Sequence, residues 1–257
     1  MKTNVLYLTN KCNLKCEYCY QRHDPNSLSI SLDEVHNFIN EIIAREGSHA
    51  PSTVVLFGGE PLLLKNKIFE ILDVFESYKK DFAISLVTNG IAFLDCDFFK
   101  SFCAKIKNLK NYFSLEISYD GEGTHRRKYP NGESAKADIE AVLALFDPQE
   151  ISIRYTIHKG NYDTALKDLI KLRQYKKIIV NFYEEELEAQ GLSMKQFKET
   201  LRNQTEYLYT KFQTPICYLN CRLCRGCDFG KFDGINYQSK LNVSGNAEPF
   251  KHFEVLK

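Results

Sequence analysis

Three cysteines near the start of the 257-residue chain indicate chemistry by their spacing. Cys12, Cys16 and Cys19 follow a C-x3-C-x2-C pattern, so one short loop supplies three thiolates. An iron–sulfur cube has four irons and usually takes four cysteine ligands. Three cysteines therefore leave one iron open, and a reactive metal centre needs an open position. The same triplet could be most of a zinc site, with His23 available as a fourth ligand.

A second motif, Gly58-Gly59-Glu60-Pro61, gives the cysteines a context. Together the loop and this turn resemble the cluster-binding loop and the S-adenosylmethionine (SAM)-binding glycines of the radical SAM superfamily. The resemblance implies a [4Fe–4S] cluster on the three cysteines, with SAM chelating the open iron through its amino nitrogen and carboxylate. Gly58 and Gly59 would let the backbone approach the methionine amino group, because glycine has no Cβ. Glu60 would add an acceptor nearby, and a zinc site would leave this turn unexplained.

The resemblance also implies SAM contacts from other turns. Tyr18 matches the aromatic residue that lies beside the adenine, and Ser118 matches a residue that bonds the ribose. Asp120 belongs to the same turn as Ser118. Asn89 is a further candidate, although Asn-Gly pairs also form ordinary turns.

A basic run, Arg126-Arg127-Lys128, follows the Ser118 turn. In related enzymes an arginine in this region neutralises the SAM carboxylate, so Arg127 is the candidate here and Arg126 the alternative. The run could instead serve a phosphate of a substrate, or form a solvated loop.

A second group of four cysteines lies near the end of the sequence, spaced C-x3-C-x2-C-x2-C: Cys217, Cys221, Cys224 and Cys227. Four thiolates this close should bind metal, either zinc or an iron–sulfur cluster, and we favour a second [4Fe–4S] cluster. The following Leu241–Phe250 stretch resembles the C-terminal segment of the SPASM and twitch subgroups. The cysteine expected five residues after Gly245 is replaced by Phe250. We therefore expect one auxiliary site in a shortened, divergent extension.

The resemblance implies an enzyme in which a reductant, such as flavodoxin or ferredoxin, delivers one electron to the first cluster. SAM is then cleaved to methionine and a 5′-deoxyadenosyl radical, which abstracts hydrogen from a C–H bond of the substrate. SPASM and twitch relatives often modify peptides or proteins, so a peptide or protein side chain is the first hypothesis. Cys12 comes too early for the N-terminal leader-binding domain of many such relatives. No residue is identified as a catalytic acid or base.

Two alternatives stay open. One is a radical SAM enzyme acting on a small molecule such as a nucleotide or sugar. The other is a noncatalytic iron–sulfur protein for electron transfer or partner activation, which the SAM-binding motifs disfavour.

Composition sets broad limits. The net charge of +1 provides no global field for nucleic acid or an acidic membrane surface, so neither is an expected partner. The sequence has no apolar run of the length that a spanning helix needs, and no signal peptide is recognised. We expect a cytoplasmic protein, since seven of the nine cysteines fall in the two metal-type groups rather than in disulfide patterns.

These motifs need elements to position them. Strands are predicted at 3–9, 52–57, 82–88, 112–119, 150–158 and 177–183. The cysteine loop and the turns at Gly58, Asn89 and Ser118 directly follow the first four. Because ligand sites in parallel α/β folds lie at the carboxyl ends of strands, these turns are expected to share one rim.

Helices are predicted between the strands. Ser31-Leu-Asp-Glu34 is a capping box that starts the first helix. Core stripes at helical spacing are Val35, Phe38, Ile39 and Ile42 in the first helix, Ile68, Ile71, Leu72 and Phe75 in the second, and Leu166, Leu169 and Ile170 in the fifth. The third helix contains Cys96 and Cys103, which are interpreted as small buried apolar residues.

Strict alternation of six strands with helices predicts an α/β fold, a partial (β/α)6 TIM-like barrel, and the resemblance implies the same architecture. A sixth helix is predicted around 193–212. The predicted domains are a radical SAM partial barrel over 1–212 and a small cysteine-rich C-terminal extension over 213–257.

Overall fold

The structure is a computed structural model that describes residues 3–19, 29–183, 187–189, 191, 193, 196, 216–218, 239–241 and 247–249. The strands are β1 (Thr3–Tyr7), β2 (Ser52–Phe57), β3 (Phe82–Thr88), β4 (Tyr112–Ser118), β5 (Ile151–Ile157), β6 (Lys177–Phe182), β7 (Ile216–Tyr218), β8 (Ser239–Leu241) and β9 (Ala247–Pro249). The α-helices are α1 (Leu32–Glu46), α2 (Lys65–Ser77), α3 (Cys96–Lys107), α4 (Lys136–Leu143) and α5 (Ala165–Leu172). Up to β6, strands and α-helices alternate as predicted, and each predicted strand agrees with the observed one to within two residues at either end.

The chain divides into two units. The first comprises Met1–Asn13, Gln21–Leu115 and Arg222–Lys257, and the second comprises Leu14–Tyr20 and Glu116–Cys221. In the first unit the strand order is β3–β2–β1–β8–β9. The pairs β1–β2, β2–β3 and β1–β8 are parallel and β8–β9 is antiparallel. Large apolar residues of its strands and helices form the buried core: Leu6, Leu56, Ile84, Ile39 and Phe75.

The second unit contains the carboxyl end of β4 and then β5, β6 and β7 in that order. The β5–β6 and β6–β7 pairs are parallel. Its core includes Ile117, Ile153, Ile157, Ile139 and Leu169, all fully buried. The α4 and α5 helices supply the last two of these residues from the connections between the strands.

The first helix begins as the sequence predicts. The Ser31 hydroxyl accepts from the Glu34 amide at 3.2 Å, and the Ser31 amide donates to the Glu34 carboxylate at 2.7 Å. This reciprocal pair satisfies two of the donors that a helix start leaves open. The predicted core stripes of α1 and α2 are buried.

The interpretation of Cys96 and Cys103 as buried is wrong, because both are exposed. The face of α3 that turns inward carries Phe98 and Phe102 instead. Both phenylalanines pack near Phe93, with ring centroids 6.0 Å and 4.9 Å away. Phenyl rings bury far more apolar area than thiols, so they decide which side of the helix faces the core.

The buried face of α5 also differs from its prediction. Leu169 is buried, but Leu166 and Ile170 are only half-buried, and Asp168 is buried beside Leu169. Asp168 is accommodated because the Tyr155 hydroxyl donates to its Oδ2 at 3.0 Å. An apolar periodicity cannot reveal a buried carboxylate that a distant strand satisfies.

The predicted sixth helix and most of the C-terminal extension lie outside the described residues. Within the part of the chain that the structure describes, no helix is long and apolar enough to cross a bilayer.

Candidate active site

In the first unit, the Gly-Gly-Glu turn continues the β1–β2 pairing beyond the ends of the strands. The Gly59 amide donates to the Thr9 carbonyl at 2.7 Å, and the Glu60 amide donates to the Lys11 carbonyl at 2.8 Å. These bonds tie the turn to the segment that leads directly into Cys12. The two motifs singled out in the sequence are therefore joined through their backbones.

The two glycines permit this close approach. A Cβ on Gly59 would lie 2.2 Å from the Lys11 carbonyl oxygen, and one on Gly58 would lie 2.4 Å from the Thr9 carbonyl oxygen. Real Cβ atoms do not come this close to backbone oxygens. Glycine is thus required here by the chain's own packing, in addition to the predicted approach to SAM.

Glu60 is buried and organises the ends of β2 and β3. Its Oε1 accepts from the Leu62 amide at 2.9 Å and from the Thr88 hydroxyl at 2.5 Å, and its Oε2 accepts from the Asn89 amide at 2.7 Å. The Asn89 side chain donates in turn to Asn13 Oδ1 at 2.8 Å. Asn13 is the residue next to Cys12, so the turn after β3 also contacts the cysteine loop.

In the second unit, Cys16 and Cys19 are held in one tight turn. The Cys19 amide donates to the Cys16 carbonyl at 3.1 Å. Burial raises the pKa of the Cys16 thiol to about 11, and the Arg127 guanidinium acts in the opposite direction. A bound metal would reverse this preference, because a coordinating thiol is deprotonated outright.

Tyr18, which precedes Cys19, is buried at the centre of a polar and aromatic cluster. Its hydroxyl donates to Asp120 Oδ2. Its ring stacks on His158, with centroids 4.5 Å apart and planes 21° apart, and Arg127 Cζ lies 5.4 Å from the ring centroid. Burial raises the pKa of the Tyr18 phenol well above its usual value, so the hydroxyl stays protonated as a donor.

Asp120 and Arg127 form a buried ion pair. Arg127 Nε donates to Asp120 Oδ2 at 2.7 Å, and Nη2 donates to Oδ1 at 3.1 Å. Burial is the largest single effect and acts to lower the pKa of Arg127, but Asp120, Tyr18 and Cys16 together outweigh it and hold that pKa above its usual value. Oδ1 of Asp120 also accepts from the Thr156 amide at 2.8 Å.

The other two residues of the basic run, Arg126 and Lys128, contact Glu17 of the cysteine loop. Arg126 Nε donates to Glu17 Oε2 at 2.8 Å, and Lys128 Nζ lies 2.5 Å from Glu17 Oε1. The backbone adds two bonds, from the Lys15 amide to the Lys128 carbonyl at 2.6 Å and from the Glu17 amide to the Arg126 carbonyl at 3.1 Å. All three cations of the run are therefore paired with carboxylates.

His158 is a residue that the sequence analysis missed. It directly follows β5 and is fully buried. Arg126 Nη1 lies 3.1 Å from its Nδ1, and the Gly160 amide donates to the same atom at 3.0 Å. Two donors on Nδ1 make that nitrogen the acceptor and leave the ring proton on Nε2. The available signal was its place just after a strand, the position of the other site turns.

The three N-terminal cysteines fit an iron–sulfur cluster in their chemistry. All three are thiols rather than disulfides, and each is partly exposed. Among the described residues, no three His, Cys, Asp or Glu side chains converge on a point that could hold a single metal ion. In a cube each thiolate binds a different iron, so convergence on one point is not required.

The other predicted site residues are divided between described and undescribed parts. Ser118 is buried at the end of β4. Of the four C-terminal cysteines, Cys217 lies in β7, where its backbone is in register with Ile179 of β6. The alternative ligand His23 and the cysteines at 221, 224 and 227 lie outside the described residues.

Comparison with known proteins identifies the class. The family model described as the radical SAM superfamily matches residues 6–173, well over half of the chain. The chain therefore belongs to the radical SAM superfamily. This confirms the family and the class of enzyme that the cysteine loop and the Gly-Gly-Glu-Pro motif predict, and membership implies SAM and a [4Fe–4S] cluster as cofactors.

Two relatives of similar sequence carry the names of different enzymes. The chain is 24% identical over 196 residues to the radical SAM cyclopropyl synthase TigE of Paramaledivibacter caminithermalis, which covers 68% of this chain and 39% of TigE. It is 29% identical over 177 residues to a probable GTP 3′,8-cyclase of Methanococcus vannielii, which covers 67% of this chain and 54% of the cyclase. The chain thus spans about half or less of the length of these two relatives.

A solved structure extends the likeness to the whole fold. Native anSMEcpe with bound AdoMet and Kp18Cys peptide matches with a TM-score of 0.72 at 18% identity, covering 100% of this chain and 76% of that one. At this identity the match shows the fold alone. It confirms the predicted α/β class, a partial (β/α)6 barrel.

Proposed function

We propose that this protein is an enzyme that binds a [4Fe–4S] cluster through Cys12, Cys16 and Cys19 and uses it to cleave SAM reductively. The observation that carries the proposal is the pair of backbone hydrogen bonds from Gly59 and Glu60 to the segment before Cys12. The cluster and SAM, when bound, supply a 5′-deoxyadenosyl radical that abstracts hydrogen from the substrate. Flavodoxin or ferredoxin is the expected electron donor.

The chain's own residues would bind and orient SAM. Gly58 and Gly59 offer backbone without side chains, and Asn89 lies beside them. Ser118 and Tyr18 are the candidates for the ribose and the adenine. Arg127, whose Nε and Nη2 donate to Asp120, is the candidate partner of the SAM carboxylate.

Anaerobic reconstitution with iron, sulfide, SAM and dithionite tests the activity. The wild-type protein should release 5′-deoxyadenosine, and a triple variant with Cys12, Cys16 and Cys19 changed to Ala should release none. Cys96→Ala with Cys103→Ala is the matched control, because both thiols are exposed and belong to neither cysteine group. Cleavage retained by the triple variant would sink the ligand assignment. No cleavage by wild type under any condition would favour the noncatalytic alternative.

A peptide or protein side chain is the substrate class that we favour. It is supported by the likeness in fold to a structure that contains a peptide. A small molecule is the second candidate, since one relative is a probable GTP 3′,8-cyclase. The basic run gives a phosphate little support, because Arg126 and Lys128 are paired with Glu17, and Arg127 with Asp120.

Deuterium transfer separates the two substrate classes. Deuterated candidate peptides and deuterated GTP would each be incubated with enzyme and SAM. Deuterium in 5′-deoxyadenosine identifies the class whose C–H bond is attacked. Label from GTP alone would overturn the peptide proposal.

We further propose that the chain from 213 onward is a SPASM/twitch-like extension, following a barrel domain over 1–212. Its cysteines would hold one auxiliary [4Fe–4S] cluster: Cys217, Cys221, Cys224 and Cys227. Changing all four to Ala should remove about one cluster's worth of iron and leave SAM cleavage intact. Loss of zinc with an unchanged iron content would instead favour a zinc site on these cysteines. A cytoplasmic location suits such clusters, since thiols stay reduced there.

A further inference from the structure

Asp120 lies where three separate segments of the second unit meet. Its Oδ2 accepts from the Tyr18 hydroxyl and from Arg127 Nε, and its Oδ1 accepts from Arg127 Nη2 and from the Thr156 amide. A carboxylate offers about four lone-pair sites, so these four donors fill it. Because Asp120 is 0% exposed, neither oxygen is available to a ligand.

We infer that Asp120 is a positioning residue, which fixes the Tyr18 end of the cysteine loop and the Arg127 guanidinium instead of contacting SAM itself. The inference rests on the proposed function, since it concerns the loop that would carry the cluster. It gives this carboxylate a different role from the SAM contact that the sequence predicts. One buried group thereby sets the position of a loop residue next to Cys19 and of the cation expected to meet SAM.

Besides the nearby Arg127 guanidinium, two different contacts hold the Tyr18 side chain. The stack on His158 restrains the plane of the ring, and His158 is itself fixed because its amide donates to Asn161 Oδ1 at 2.8 Å. The hydroxyl bond to Asp120 restrains where the ring lies within that plane. Removing only the hydroxyl should leave the stack in place and release the loop from Asp120.

Tyr18→Phe is therefore the informative variant, and Tyr155→Phe is its matched control. Tyr155 is likewise buried in the second unit, and its hydroxyl also donates to a buried carboxylate, Asp168 Oδ2, at 3.0 Å. The two substitutions remove the same kind of hydrogen bond, but Tyr155 lies in β5 rather than in the cysteine loop. Each reconstituted protein is measured for iron content, for the electron paramagnetic resonance spectrum of the reduced cluster with and without SAM, and for the rate of 5′-deoxyadenosine formation.

Tyr18→Phe should keep wild-type iron content but show a shifted or broadened spectrum with SAM, with 5′-deoxyadenosine formed about tenfold more slowly. Tyr155→Phe should match the wild type in all three measurements. If the two variants have the same spectra and rates as each other, altered or not, positioning by Asp120 is overturned while SAM cleavage by wild type stands. If wild type itself shows neither a SAM-dependent spectral change nor 5′-deoxyadenosine, the proposed function fails and this inference falls with it.

Discussion

Glu60 in the first unit and Asp120 in the second are both buried carboxylates at strand ends, but they hold their surroundings by different means. Glu60 accepts from two backbone amides and a threonine hydroxyl. Asp120 accepts from a tyrosine hydroxyl, an amide and a guanidinium. In the first unit, the surroundings of Glu60 are therefore mainly backbone donors, whereas in the second unit Asp120 is held mainly by side chains and by a buried charge pair.

This difference determines how substitutions around each carboxylate should lower stability. A buried ion pair that loses one partner leaves an uncompensated charge in a poorly solvating place, which costs more than a lost neutral hydrogen bond. A backbone arrangement fails when a side chain is forced into it. The four substitutions below test this contrast in order of decreasing expected effect on stability.

Asp120→Asn should have the largest effect. It leaves the buried Arg127 without its counter-charge, so the free energy of unfolding should fall by about 3–5 kcal/mol. Denaturant unfolding of the cofactor-free chain measures this. The control is Glu122→Gln, which weakens exposed ion pairs to Lys136 and Lys171 and should cost less than about 1 kcal/mol. Equal losses for the two variants would contradict the importance of burial.

Gly59→Ala should come next. Its new Cβ would lie 2.2 Å from the Lys11 carbonyl oxygen, so the backbone before Cys12 must move, at about 3 kcal/mol. Gly132→Ala is the control: its φ is +90°, but no atom lies within 4 Å of the added Cβ. That variant should lose only the roughly 1 kcal/mol of an unfavourable φ. Thermal unfolding of both proteins tests the expectation, and a milder loss at Gly59 than at Gly132 would refute it.

Glu60→Gln should be costly although the two side chains have almost the same shape. Each Glu60 oxygen accepts from a backbone amide, from Leu62 at Oε1 and from Asn89 at Oε2, so the new amide NH2 must face a donor, at about 2 kcal/mol. Asp95→Asn is the control, since Asp95 is an exposed N-cap that accepts two backbone amides, and asparagine caps helices equally well. The free energy of unfolding should change far less in Asp95→Asn than in Glu60→Gln. Similar tolerance at Glu60 and Asp95 would argue against an acceptor-only site.

Glu17 gives the smallest effect and a dependence on pH. Hydrogen bonds from Lys128 and Arg126 lower its pKa from 4.5 to about 2. Because the folded pKa lies below the unfolded one, the ion pairs contribute fully above pH 4.5 and their contribution is lost as the pH falls toward 2. The exposed setting limits the contribution to less than about 1 kcal/mol. Carboxyl NMR titration should find the low pKa in wild type and a higher one in Lys128→Gln; an ordinary pKa in wild type would rule the pairing out.

The sequence predicted the features that depend on local patterns. Strand positions, the Ser31 capping box and the α1 and α2 stripes follow from periodicity and short-range hydrogen bonding, and the structure confirms them. The cysteine loop and the glycine turn were recognisable because each is a contiguous motif. The structure shows a further reason why the turn needs glycine: Gly58 and Gly59 approach the Thr9–Lys11 backbone too closely for a side chain.

What the sequence did not reveal depends on residues far apart in the chain. Nothing near Tyr18 indicates that its hydroxyl meets Asp120 or that His158 stacks on its ring. The exposure of Cys103 likewise depends on phenylalanines that compete for the same core. Such choices are made by tertiary packing, which local propensity and periodicity do not encode.

The backbone bonds from Gly59 and Glu60 have a consequence for local opening. Because they extend the ladder that pairs β1 with β2, their amides are part of the sheet, although they lie in a turn. Hydrogen exchange at these two amides should therefore require β1 and β2 to separate at their carboxyl ends, and should be slow like exchange within those strands. The segment directly before Cys12 would thus open as rarely as the sheet itself, and would not show the rapid fluctuations of a surface loop.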